Sequence, residues 1–151
     1  MNKGYTLLEL LIAIVIIAIA VTIVALSFSK LNKHSALDKS ADLVVSVLNE
    51  ARALTLASKG GVGYGVNLQE SQVVLFQGSS YATTTSTNVF TALNSLIGIR
   101  NIYLAGSSTS VVFKRLTGST DQAGTVEIYL KDSPAEFKRV TINGTGVVER
   151  N

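Results

Sequence analysis

One carboxylate, Glu9, stands inside an apolar run that extends from Tyr5 to Leu26, and it is the only charged side chain of that run. A charge inside a membrane-length apolar helix costs about 2–3 kcal/mol or more. Glu9 therefore needs a partner, and the chemistry open to it is ion pairing with a cation. Other reactive residues are few. The chain has no cysteine, which removes disulfides, thiolate metal sites and a thiol nucleophile. Its single histidine, His34, has Asp38 four residues on and reads as a solvated helix pair. The carboxylates are scattered without the spacing that acid–base catalysis requires. No catalytic, cofactor-binding or metal-ligating residue is expected, and the chain does not read as an enzyme.

The remaining candidates are basic. Lys114-Arg115, Lys138-Arg139 and Arg150 fall on or beside the last strands, where five cations could track a phosphate backbone. Asp121, Glu127, Asp132, Glu136 and Glu149 are interleaved with them and cancel most of the field, so a solvated face is the stronger reading. Thirteen Lys plus Arg against ten Asp plus Glu give +3, too mild to imply nucleic acid by itself. Gly60, Gly61, Gly63 and Gly65 are not followed by the Lys-Ser/Thr of a phosphate loop. Asn143-Gly144-Thr145 matches a glycosylation acceptor but sits where a turn is expected.

The elements that position these residues follow from periodicity. Tyr5 to Leu26 would span roughly 33 Å as a helix, about one hydrocarbon core. From Leu37 the apolar residues Leu37, Ala41, Val44, Leu48 and Ala51 recur at steps of four and three, with Lys39, Asp42, Ser46 and Asn49 opposite. No proline or glycine interrupts Tyr5 to Ser58, and Lys59-Gly60-Gly61 supplies a stop, so one helix is predicted. Its first half is apolar all round and its second half one-sided.

After Gly61 the period becomes two. Val62, Tyr64, Val66 and Leu68 predict a strand with one buried face, paired as a hairpin with Val73 to Phe76 through Gln69-Glu70-Ser71-Gln72. Gly78 to Asn88 reads as a polar low-complexity loop. Further strands are expected at Ile99 to Leu104, Ser110 to Lys114, Thr125 to Lys131, Phe137 to Ile142 and Val147 to Arg150, with a turn at Asn143-Gly144-Thr145-Gly146. The fold class is α+β, a long N-terminal helix packed on a C-terminal antiparallel β-sheet domain.

The opening Met1-Asn2-Lys3-Gly4-Tyr5-Thr6-Leu7-Leu8-Glu9-Leu10-Leu11, followed by the aliphatic helix, resembles the class III signal of type IV prepilins and type II secretion pseudopilins. The resemblance extends to LVVSVLNEARALTLA at Leu43 to Ala57, the glycine-rich GVGYGVNL, the VVLF strand, VVFKRLTGST and the closing FKRVTINGTGVV, which together are similar to the GspH and FimT branch of minor pilins and pseudopilins. It implies residues 1–4 as a cleaved leader, 5–28 as the membrane and assembly half of the helix, 29–60 as its amphipathic half and 61–151 as a β-rich head. A prepilin peptidase would cut between Gly4 and Tyr5 and methylate the new amine of Tyr5. Glu9 would pair with that amine on a neighbouring subunit and set the stagger of the filament.

The implied partners are other pilin or pseudopilin subunits, the peptidase, an inner-membrane assembly platform and the lipid bilayer. The implied location is the inner membrane, single-pass with the C-terminal domain outside the cytoplasm, and then a filament. Tyr5 stands where Phe is commoner, and Ala25-Leu26-Ser27 where many type IV pilins carry a proline. Two readings compete. An ordinary signal peptide would be cut after Ala18-Ile19-Ala20, and Lys30, Lys33 and Lys39 beyond the span favour the opposite topology. Since some FimT-like minor pilins bind DNA through basic C-terminal residues, the five cations also make a filament-displayed DNA receptor, or an adhesin, the alternative function.

Overall fold

The computed structural model describes Gly4 and residues 6–151, with only the backbone of 25–29. It divides into two compact units, residues 1–35 and 36–151. Helix α1 runs Leu7–Leu56, part in each unit. In the first unit its Leu7–Val24 stretch has a mean hydropathy of 3.1 and no buried residue, and is long and apolar enough to cross a membrane. The helix is continuous past Ala25-Leu26-Ser27, whose side chains lie outside the described residues.

In the second unit the stripe Leu37, Ala41, Val44, Leu48 and Ala51 is buried, and Lys39, Asp42, Ser46 and Asn49 are exposed. The helix ends two residues before the expected Ser58, which adopts a left-handed φ of 49° and leads into a 3₁₀ turn at Lys59–Gly61. Eight strands follow: β1 Tyr64–Leu68, β2 Gln72–Gln77, β3 Val89–Ala92, β4 Ile97–Leu104, β5 Ser110–Val112, β6 Gly124–Leu130, β7 Ser133–Ile142 and β8 Val148–Arg150. They form two antiparallel sheets, ordered β3-β2-β1-β5 and β4-β6-β7-β8. Leu48 and Val44 of the helix join Val66, Val73 and Val111 of the first sheet and Ile99, Val126 and Val140 of the second in one core. Each sheet thus turns one face toward the helix stripe.

Two expectations need correction. Strand β1 is buried on both faces from Gly65 to Leu68, because the loop after β2 covers the outer one. Tyr81 of that loop packs against Phe76 with ring centroids 5.6 Å apart, and Gln69 bridges Asn67 and the Tyr81 hydroxyl. The polar loop from Gly78 therefore serves partly as a cover. Strand β3 was not anticipated: Val89 and Phe90 are more than half exposed, and without a buried face there is no alternation to read.

Strand β4 shows how register corrects parity. Ile97 and Ile99 point inward, and so do Leu104 and, less completely, Ile102. The change from odd to even positions is absorbed by an irregularity between Arg100 and Tyr103, where Asn101 takes φ 49°. The bulge turns Tyr103 outward.

Candidate functional site

At the N-terminal end, Thr6 Oγ1 accepts the Glu9 N–H at 3.2 Å, and the Thr6 carbonyl accepts the Leu10 N–H at 3.2 Å. Thr6 thus caps the helix and Glu9 stands three residues inside it, the Thr-x-x-Glu spacing of a capping box. A carboxylate in the first turn also meets the positive end of the helix dipole. The capping role of Thr6 was missed from sequence, although that spacing could have revealed it. Glu9 itself is exposed among aliphatic neighbours that are exposed as well. Around Gly4, a Cβ would meet nothing within 4 Å among the described residues, so packing within the chain does not demand glycine there. Tyr5, the expected first mature residue and methylation site, lies outside the described residues, as does Lys3.

The five basic candidates do not gather. Lys114 Nζ lies 2.6 Å from Asp121 Oδ1 at the turn beyond β5, and Arg115 beside it is exposed, without an ion pair among the described residues. Lys138 and Arg150 point to the inner face of the second sheet and clamp it to the helix. Lys138 reaches Asp38 at 3.3 Å, and Arg150 reaches Asp38 at 3.4 Å and Asp42 at 3.0 Å. Arg139 points the other way, because neighbours on a strand take opposite faces. It donates to Glu127 Oε1 at 3.0 Å. These cations occupy three places, and four of the five are engaged by carboxylates.

Glu127 is the buried charge of the head. It accepts from Arg139 and, at 2.7 Å, from Asn101 Nδ2 of the bulge, while Arg100 Nε lies 3.4 Å away. The hydrogen bond from Arg139 is the main force holding its carboxyl below the ordinary value of 4.5, against burial, which pushes it up; Asn101 and Arg100 add to the lowering. Arg100 also stacks over Tyr129, its guanidinium carbon 4.6 Å from the ring centroid. The outer face of the second sheet is therefore a closed network of Arg, carboxylate and aromatic groups. Sequence reasoning did not single out Arg100, Asn101 or Arg52. Arg52, on the helix, ties down two loops through the carbonyls of Gly118 at 3.1 Å and Thr145 at 3.5 Å. The turn at Asn143 forms as expected, with Asn143 and Val147 bonded at 2.9 Å and Gly146 at φ 79°. Among the described residues no group of three His, Asp or Glu side chains could hold a metal ion.

Comparison with known proteins follows these features. Residues 1–25 match the family model described as the prokaryotic N-terminal methylation motif. The fold resembles the minor pseudopilin EpsH from the type 2 secretion system of Vibrio cholerae, with a TM-score of 0.57, 18% identity, and 76% of this chain and 95% of that one covered. It also resembles the type IV minor pilin FimU of Pseudomonas aeruginosa, with a TM-score of 0.55, 10% identity, and 76% and 92% covered. The curated proteins give no match. Motif and fold together are those of the type IV pilin and pseudopilin superfamily. Within it, the β-rich head has the fold shared by a minor pseudopilin and a minor pilin.

Proposed function

We propose that this chain is a structural minor subunit of a type IV pilus or a type II secretion pseudopilus, of the GspH and FimT branch, and not an enzyme. The observation that carries the reading is the N-terminal methylation motif running into an apolar helix with Glu9 as its one carboxylate. Cleavage between Gly4 and Tyr5 would place a new amine one residue before the Thr6 cap. That cation is the partner Glu9 lacks: in low dielectric the two attract strongly across neighbouring subunits, and an unpaired Glu9 is penalised. Subunits would leave the inner membrane, heads outside the cytoplasm, with that pair fixing their stagger. Their aliphatic helices then pack together in the filament.

Glu9→Leu tests the reading. The variant should be membrane-inserted and cleaved but depleted from sheared filaments or pseudopili. Normal incorporation would remove the pairing mechanism. A DNA-receptor role is the weaker proposal, since Lys114, Lys138, Arg139 and Arg150 are engaged by carboxylates and divided among separate surfaces.

A further inference from the structure

A cavity of about 320 Å³ opens on the outer face of the first sheet, under the loop that follows β2. Asn67, Tyr81, Thr109, Ser110 and Gln122 line it, and no Asp, Glu, Lys, Arg or His does. The hydrogen bonds behind this wall run in one direction. Gln72 Nε2 donates to Gln69 Oε1 at 2.7 Å, and Gln69 Nε2 donates to Asn67 Oδ1 at 2.9 Å. Asn67, only 6% exposed, passes its own amide protons to Ser110 Oγ at 2.9 Å and Thr109 Oγ1 at 3.3 Å. Three amides in series polarise one another in the same sense.

The direction decides what the cavity offers. Thr109 and Ser110 each accept a proton from Asn67, so each hydroxyl keeps its own proton to donate. The Tyr81 hydroxyl accepts from Gln69 Nε2 at 3.2 Å and is left in the same condition. Gln122 Oε1 is occupied by the Val112 N–H at 3.1 Å and by Thr120 Oγ1 at 3.2 Å, leaving its amino group. The wall is therefore neutral and rich in donors. A ligand that satisfies it carries uncharged acceptors, among which an amide carbonyl is stronger than a hydroxyl, together with an apolar patch to meet the Tyr81 ring.

We propose that this cavity binds a neutral acetamido sugar. Its acetamido carbonyl and ring oxygens would accept from Thr109, Ser110, Tyr81 and Gln122. The volume stands at the small end of ligand pockets, roughly 300–1,000 Å³, which suits a terminal sugar unit over a long chain. The site lies wholly within residues 36–151 and is independent of filament assembly.

Calorimetric titration of the full chain, held in amine-oxide micelles that carry no sugar head group, tests the proposal. N,N′-diacetylchitobiose should bind saturably, and maltose or sodium acetate far more weakly. Tyr81→Phe and Thr109→Val should each weaken binding about fivefold or more, the loss of one hydrogen bond, while leaving the thermal midpoint unchanged. Absence of saturable binding would overturn the proposal. So would affinity that both variants retain, or equal affinity for acetate, which would make the cavity a carboxylate site.

Discussion

Glu127 shows what a single residue contributes once register brings its partners together. Its native carboxyl is held below the ordinary value, chiefly by Arg139, so the ionised form stabilises the fold. That contribution is fully present above the unfolded-state value, about 4.3, and is lost as pH falls through the lowered native value. Urea midpoints of the wild type should therefore decline on the acid side of that window. Glu127→Gln should be less stable at neutral pH and show a flatter acid limb. Gly146 makes a second residue-scale case: it adopts φ 79°, and an added Cβ would collide with the Gly118 carbonyl oxygen. Gly146→Ala should destabilise by about 1–3 kcal/mol in chemical denaturation.

At this scale Glu9 was legible because one charge in an apolar run is anomalous without any structure. The partners of Lys138 and Arg150 were not. Asp38 and Asp42 precede Arg150 by more than a hundred positions, and no local pattern encodes that contact.

At the scale of elements, the helix stripe carries the most energy. Leu48 is fully buried between the two sheets, so Leu48→Asp would place an unpaired charge in the core and should unfold the head. Leu48→Ala should cost about 2–5 kcal/mol. Asn49→Asp, one position on and exposed, should stay within about 0.5 kcal/mol of wild type. Melting followed by circular dichroism separates the three; an unchanged Leu48→Asp would mean that the stripe does not face the sheets. The helix and most strands were readable because a buried face imposes a period of 3.6 or 2 on apolar residues. Where that cause is absent the reading failed, at the exposed β3. At β1 the apolar alternation was real, but the Tyr81 loop covers the face that alternation assigns to water. The two-sheet arrangement is also invisible locally, because β5 joins β1 across three intervening strands in sequence order.

For the whole molecule, an apolar segment without a buried residue and a head with its own core imply different solvents for the two units. A fragment beginning near Lys30 should be folded and monomeric by sedimentation, whereas the full chain should require detergent.

The central claim is that the first residues are a processing signal and an assembly device, and intact-mass spectrometry of the membrane-bound protein, co-expressed with a prepilin peptidase, tests it most directly. The account predicts a mature chain that begins at Tyr5 and carries one methyl group, with cleavage blocked by a bulky residue in place of Gly4. Since that glycine has no packing reason within the chain, its demand would come from the peptidase. A chain beginning at Val21, or one still beginning at Met1 beside active peptidase, would contradict it.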